Sequence, residues 1–171
     1  PDYSSAASDV YKRQHLNRPS YIQIKSPESW ASIHTALPLN ANEYVAEDLD
    51  TLVDSPWLLG ETQTYTFTVN DIDHAFINWG EGEQWDGETS AKDVETLTRT
   101  IIDFWGEIPY PNYQYLNVLA EARGGLEHKN STLMLTSRWN THAREDYLGW
   151  LGLVSHEFFH TWNVKRLRPK S

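Results

Sequence analysis

The chain has 171 residues, of which 39% are hydrophobic and 13% aromatic, with a net charge of −10 and no cysteine. That apolar mass suffices for a folded domain and excludes a disordered polar chain, while the missing cysteines exclude a disulfide framework and a thiolate metal site. The acidic balance, with no basic run interleaved with stacking aromatics, excludes a general nucleic-acid surface.

No stretch approaches the roughly 18 continuous apolar residues of a membrane span, so a soluble protein is expected, with cytoplasm and periplasm both open. Residues 1–14 are polar, begin on a proline and lack an apolar signal region, so they are set aside as a non-native or disordered tail.

From Tyr21 to Ile24 a short alternation reads as a strand, and Pro27, Trp30 and Pro38 then punctuate a loop-rich stretch. Residues 15–59 are read as the end of an N-terminal β domain. Asp54-Ser55-Pro56 is a turn signal, which puts a domain boundary near residue 60. Residues 64–69 alternate with period two, Asn70-Asp71 supplies a turn, and a second strand runs from His74 to Trp79, giving a hairpin in which His74 packs half-buried. The acidic, glycine-punctuated residues 81–88 lack the ligand ladder of a calcium loop and read as a solvated loop.

Ser90 is expected to cap a helix, with Asp93 in the capping-box place and Val94, Leu97, Ile101 and Phe104 on its buried face. Gly106 and Pro109 end it. Residues 115–120 and 131–136 read as two strands separated by the loop Arg123-Gly124-Gly125-Leu126-Glu127-His128. A loop over 137–143 leads to a last helix. The expected order is βαββα, an α+β fold with a mixed sheet and no internal repeat.

The last helix carries His156-Glu157-Phe158-Phe159-His160, an H-E-x-x-H motif. Residues four apart lie on one helical face (160 − 156 = 4), so both imidazoles can grip one metal ion. Glu157 would then lie close enough to an activated water to take its proton, and zinc suits such a site. Tyr147, Leu151, Val154, Phe158 and Trp162 form a separate core-facing stripe. Gly149 and Gly152 precede His156 on its own face and leave room for metal and substrate.

Gly124-Gly125-Leu126-Glu127-His128, followed by His156-Glu157-Phe158-Phe159-His160-Thr161-Trp162-Asn163-Val164-Lys165-Arg166, resembles the glycyl aminopeptidase family of zinc metallopeptidases, relatives of the thermolysin-like aminopeptidases. Weaker likeness runs through residues 49–56 and 104–110. The resemblance implies that residues 60–171 form the first half of a thermolysin-like catalytic domain. It also implies zinc ligation by His156 and His160, general-base action by Glu157, and substrate contact from Gly124 and Gly125. Glu127 would pair with the free α-amino group of a peptide substrate, which selects chain ends over chain interiors.

The third zinc ligand of such enzymes is a downstream glutamate, and no Asp, Glu, His or Cys follows His160 here, so the expected ligand set is incomplete and the piece alone is expected to be inactive. The basic residues Lys165, Arg166, Arg168 and Lys170 read as charge complementing the end of the helix dipole. Two other readings stand open: a non-catalytic folded remnant with an incomplete metal site, and an endopeptidase with Glu127 turned away.

Overall fold

The computed structural model describes residues 18–167, so the proposed tail at 1–14 and the basic residues Arg168 and Lys170 lie outside the described residues. The chain divides into two compact units, the first built from 18–27 with 37–55 and the second from 28–36 with 56–167.

In the first unit β1 (Ser20–Ile22) pairs antiparallel with a later strand, Glu43–Ala46, which also pairs with Leu39–Asn40. A helix over Leu49–Val53, here α1, follows, and its Asp48 cap accepts from the Thr51 amide at 2.7 Å. In the second unit β2 (Ser32–His34) pairs antiparallel with β5 (Leu58–Gly60), the strands of the first unit at 39–40 and 43–46 being β3 and β4.

The second unit is organised by a five-stranded sheet of β6 (Thr62–Val69), β7 (Ile72–Trp79), β8 (Asn112–Leu119), β9 (Gly124–Glu127) and β10 (Ser131–Thr136), in the order β6-β7-β8-β10-β9. The pairs β6/β7 and β10/β9 are antiparallel, and β7/β8 and β8/β10 are parallel. Asn70 and Asp71 both take positive φ, 49° and 63°, which is the two-residue turn that the Asn-Asp signal encodes for β6/β7.

Two long helices, α2 (Gly87–Trp105) and α3 (Arg144–Phe159), join one face of the sheet in a single core. Along β8, Tyr113, Tyr115 and Leu119 enter that core, while Leu116 packs with Ile77 and Leu58 in a second cluster. The alternation follows from the period of a strand. Among the described residues no helix is long and apolar enough to cross a membrane.

Several local expectations are corrected. Helix α2 begins a turn earlier than Ser90, because the Asp86 side chain caps it by accepting from the Thr89 amide at 3.0 Å. Gly87 fits there because a Cβ would collide with Glu81 and Tyr65. Ser90 instead donates to the Asp86 carbonyl and accepts from Trp85 Nε1. Residues 81–88 are not a solvated loop: Glu81 and Trp85 are buried, and Glu81 accepts from Asn78 Nδ2 at 2.7 Å and from the Tyr65 hydroxyl.

Phe104 is 73% exposed, and the buried face of α2 passes instead through Ile102 to Trp105, whose ring stacks on Trp162 at 5.7 Å. Residues 124–127, read as loop, form the edge strand β9, since pairing with β10 overrides the poor strand propensity of two glycines. His74 is fully buried, not half-buried, donating from Nδ1 to the Ile72 carbonyl and accepting at Nε2 from the Tyr110 hydroxyl, each at 2.9 Å.

Candidate active site

Helix α3 brings the site together because its two faces do different work. Tyr147, Trp150, Val154 and Phe158 are buried and anchor it to the sheet, and Trp162, just past its end, continues that stripe while Leu151 is half-buried. Trp150, absent from the expected stripe, also donates from Nε1 to the buried Asn117 at 3.3 Å. Glu145 and Asp146 in the first turn complement the positive end of the helix dipole. Gly149 and Gly152 are exposed, and nothing stands within 4 Å of a Cβ built on Gly152, so the helix face leading to His156 is open.

His156 lies in the last turn of α3 and His160 caps it. Their rings stand at 86° to each other with Nε2 atoms 3.1 Å apart. Nδ1 of His160 is 3.1 Å from the Asn163 carbonyl, which can only accept, so that nitrogen carries the proton and Nε2 presents its lone pair. Two ligands sharing one tetrahedral ion at about 2.0–2.1 Å would be about 3.3 Å apart, so the observed convergence fits a shared cation.

Glu157 is only 5% exposed and lies against β9. A Cβ on Gly125 would overlap the Glu157 side chain, so only glycine permits this approach. Burial pushes the Glu157 carboxyl up, and the charge of Glu127 pushes it further, while His156, His160 and His128 draw it down. These groups are therefore within electrostatic reach of one another. Strand alternation explains Glu127: it is two residues from Gly125 and shares its face, while Gly124 and Leu126 point the other way.

Of the residues expected at the site, His156 and His160 converge at the end of α3, and Glu157 meets Gly125 of β9 with Glu127 on the same strand face, whereas Gly124 faces the other way. Among the described residues no group of three or more His, Cys, Asp or Glu is placed to hold a metal. Sequence reasoning missed the Asn163 carbonyl and Arg166. A backbone oxygen leaves no mark in the side-chain pattern, and the one available signal was the Trp-Asn-Val-Lys-Arg run itself. Arg166 does not merely offer charge to a helix end; its guanidinium donates to the carbonyls of Thr161, Lys129 and Pro109.

A helix bearing H-E-x-x-H, laid against the edge strand of a mixed sheet, defines a peptidase-like α+β arrangement, and comparison with known proteins agrees. The family described as M61 glycyl aminopeptidase matches residues 149–171, and the Peptidase M61 N-terminal domain matches residues 5–61, which begins inside the stretch set aside as tail. Two separate stretches of the chain are thus similar to the M61 glycyl aminopeptidase family.

Among solved structures, an aminopeptidase N family protein from Idiomarina loihiensis superposes with a TM-score of 0.84 at 28% identity, over 91% of this chain. The present chain spans 29% of that protein's length. No curated protein matches the sequence.

Proposed function

We propose that this chain supplies the metal-binding helix and substrate strand of a zinc-dependent aminopeptidase that removes N-terminal residues, glycine or other small ones, from peptides with a free amine. The same reading takes residues 15–59 as the end of an N-terminal β domain and 60–171 as the start of a thermolysin-like catalytic domain. The observation that carries it is the convergence of the two Nε2 atoms to 3.1 Å beside the buried Glu157.

His156 and His160 would hold the zinc. When bound, the ion supplies Lewis acidity that polarises a carbonyl and makes water a nucleophile near neutral pH. The remaining work belongs to the chain. Glu157, whose proton affinity is raised by burial, takes the proton of the attacking water and returns it to the leaving amine. The Gly124-Gly125 backbone lets an extended peptide approach β9, which is an edge strand of its sheet. Glu127, on the same strand face as Gly125, pairs with the substrate ammonium and ties cleavage to the chain end.

The test is Glu157→Gln in the enzyme. It should lower kcat by about 10²–10⁴-fold while zinc content stays at the wild-type level. Full activity in that variant would remove Glu157 as the base, and loss of zinc would make it a structural support of the metal site instead.

A further inference from the structure

Beyond the end of α3 the backbone does not simply run away from the site. The amides of Trp162 and Asn163 bond to the Phe159 carbonyl at 3.2 Å each, that of Lys165 returns to the His160 carbonyl at 3.2 Å, and that of Leu167 to the Trp162 carbonyl at 2.8 Å. This second turn folds the Asn163 carbonyl back to 3.1 Å from His160 Nδ1. Making it requires Val164 at φ 96°, a region that a β-branched side chain occupies only under strain. Such strain persists where the surroundings over-determine the backbone.

Two side chains do so here. Trp162 is buried, stacks on Trp105 and donates from Nε1 to the Glu107 carbonyl at 3.2 Å. Arg166 donates from Nη1 to the Thr161 carbonyl at 2.7 Å and to the Lys129 carbonyl at 2.9 Å, and from Nη2 to the Pro109 carbonyl at 2.9 Å. Thr161 is the residue after His160, and Lys129 follows Glu127 by two. One planar fork therefore joins the end of the histidine helix to the end of the strand that bears Glu127. A guanidinium holds three such acceptors in fixed directions, which an ammonium cannot reproduce.

We infer that residues 161–167 form an outer support of the site, in which Arg166 is a positioning residue that acts through the strained turn and the Asn163 carbonyl to fix the ring and tautomer of His160. The inference rests on the metal reading above only for its affinity arm. A hydrogen bond to the far nitrogen of a ligating histidine orients the ring and selects the tautomer, and losing such support typically costs about 10–100-fold in metal affinity.

The test uses the whole chain, metal-free and then titrated with Zn²⁺. Long-range ¹H–¹⁵N correlation spectra of the histidine rings at about pH 8 should show a single Nδ1–H tautomer for His160 in the wild type. Arg166→Ala should mix the tautomers and weaken Zn²⁺ binding about 10–100-fold. Arg166→Lys should fall between, rescuing part of both. Val164→Gly, which takes positive φ without strain, should keep both within about twofold of wild type.

A folded Arg166→Ala with an unchanged His160 tautomer would overturn the inference and leave Arg166 as an ordinary helix-end tie. Should Arg166→Ala fail to fold, an unchanged tautomer and unchanged affinity in Arg166→Lys would overturn it equally. If no variant, wild type included, binds Zn²⁺, the metal reading fails while the tautomer comparison still decides the positioning role.

Discussion

Replacing Gly125 by alanine changes one methyl group on β9 and aims it at Glu157. The new Cβ would stand 2.5 Å from both Cγ and Cδ of Glu157, against an ordinary carbon–carbon contact of about 3.5–4.0 Å, so the glutamate end must move by about 1 Å or more. The obstacle is the far part of a side chain, not backbone, so the cost is that of an off-rotamer carboxylate, about 0.5–1.5 kcal/mol. The melting temperature should therefore fall by no more than about 6 °C. His156 and His160 are not touched, so Zn²⁺ affinity should stay within a few-fold of wild type.

Catalysis should suffer far more, because a misplacement of about 1 Å can cost about 10²-fold in rate. The assay is kcat and KM for hydrolysis of glycyl peptides by the enzyme carrying the change, beside thermal unfolding and zinc titration of the same preparation. A wild-type kcat would refute the reasoning that Glu157 works in its position against β9. Parallel loss of zinc and activity would also refute it, by placing the damage at the histidines.

Glu127→Ala should lower kcat/KM for peptides with a free amine while affecting N-acetylated peptides far less, because a blocked amine offers no charge to pair. An unchanged free-to-acetylated ratio would put the endopeptidase reading ahead. His74 gives a stability prediction. Burial drives its imidazole from 6.5 down to about 4, with the Ile72 carbonyl and Asp73 opposing the shift and Arg99 adding to it. The unfolded chain therefore protonates first, and stability falls as pH drops from about 6.5 to about 4, by about 3 kcal/mol in total. In urea unfolding at pH values across that window His74→Leu should lose this part of the slope; an unaltered slope would contradict the burial argument.

How much of this was legible in the sequence depended on the range of the interaction involved. The hairpin β6/β7 was readable because its period and its Asn-Asp turn are local, and the strand over 131–136 because Leu133, Met134 and Leu135 form a short apolar run between hydroxyl residues. The histidine pair was readable because helical spacing alone puts His156 and His160 side by side. What escaped was non-local. The start of α2 depends on Gly87 fitting against Tyr65 and Glu81, and β9 forms because β10 pairs with it, although its own residues favour a loop. The exposed place of Phe104 could not be told from that of Trp105 by periodicity, since only packing against Trp162 decides between them. Arg166 was visible as a charge, but its three carbonyl partners come from segments that only the fold brings together.

Calorimetric titration of the chain with Zn²⁺ tests most directly whether His156 and His160 form one cation site. The expected result is one Zn²⁺ per chain in the wild type, with binding lost in His156→Ala and in His160→Ala and retained in Glu157→Gln. A wild-type isotherm indistinguishable from that of the His156→Ala, His160→Ala double variant would contradict the account.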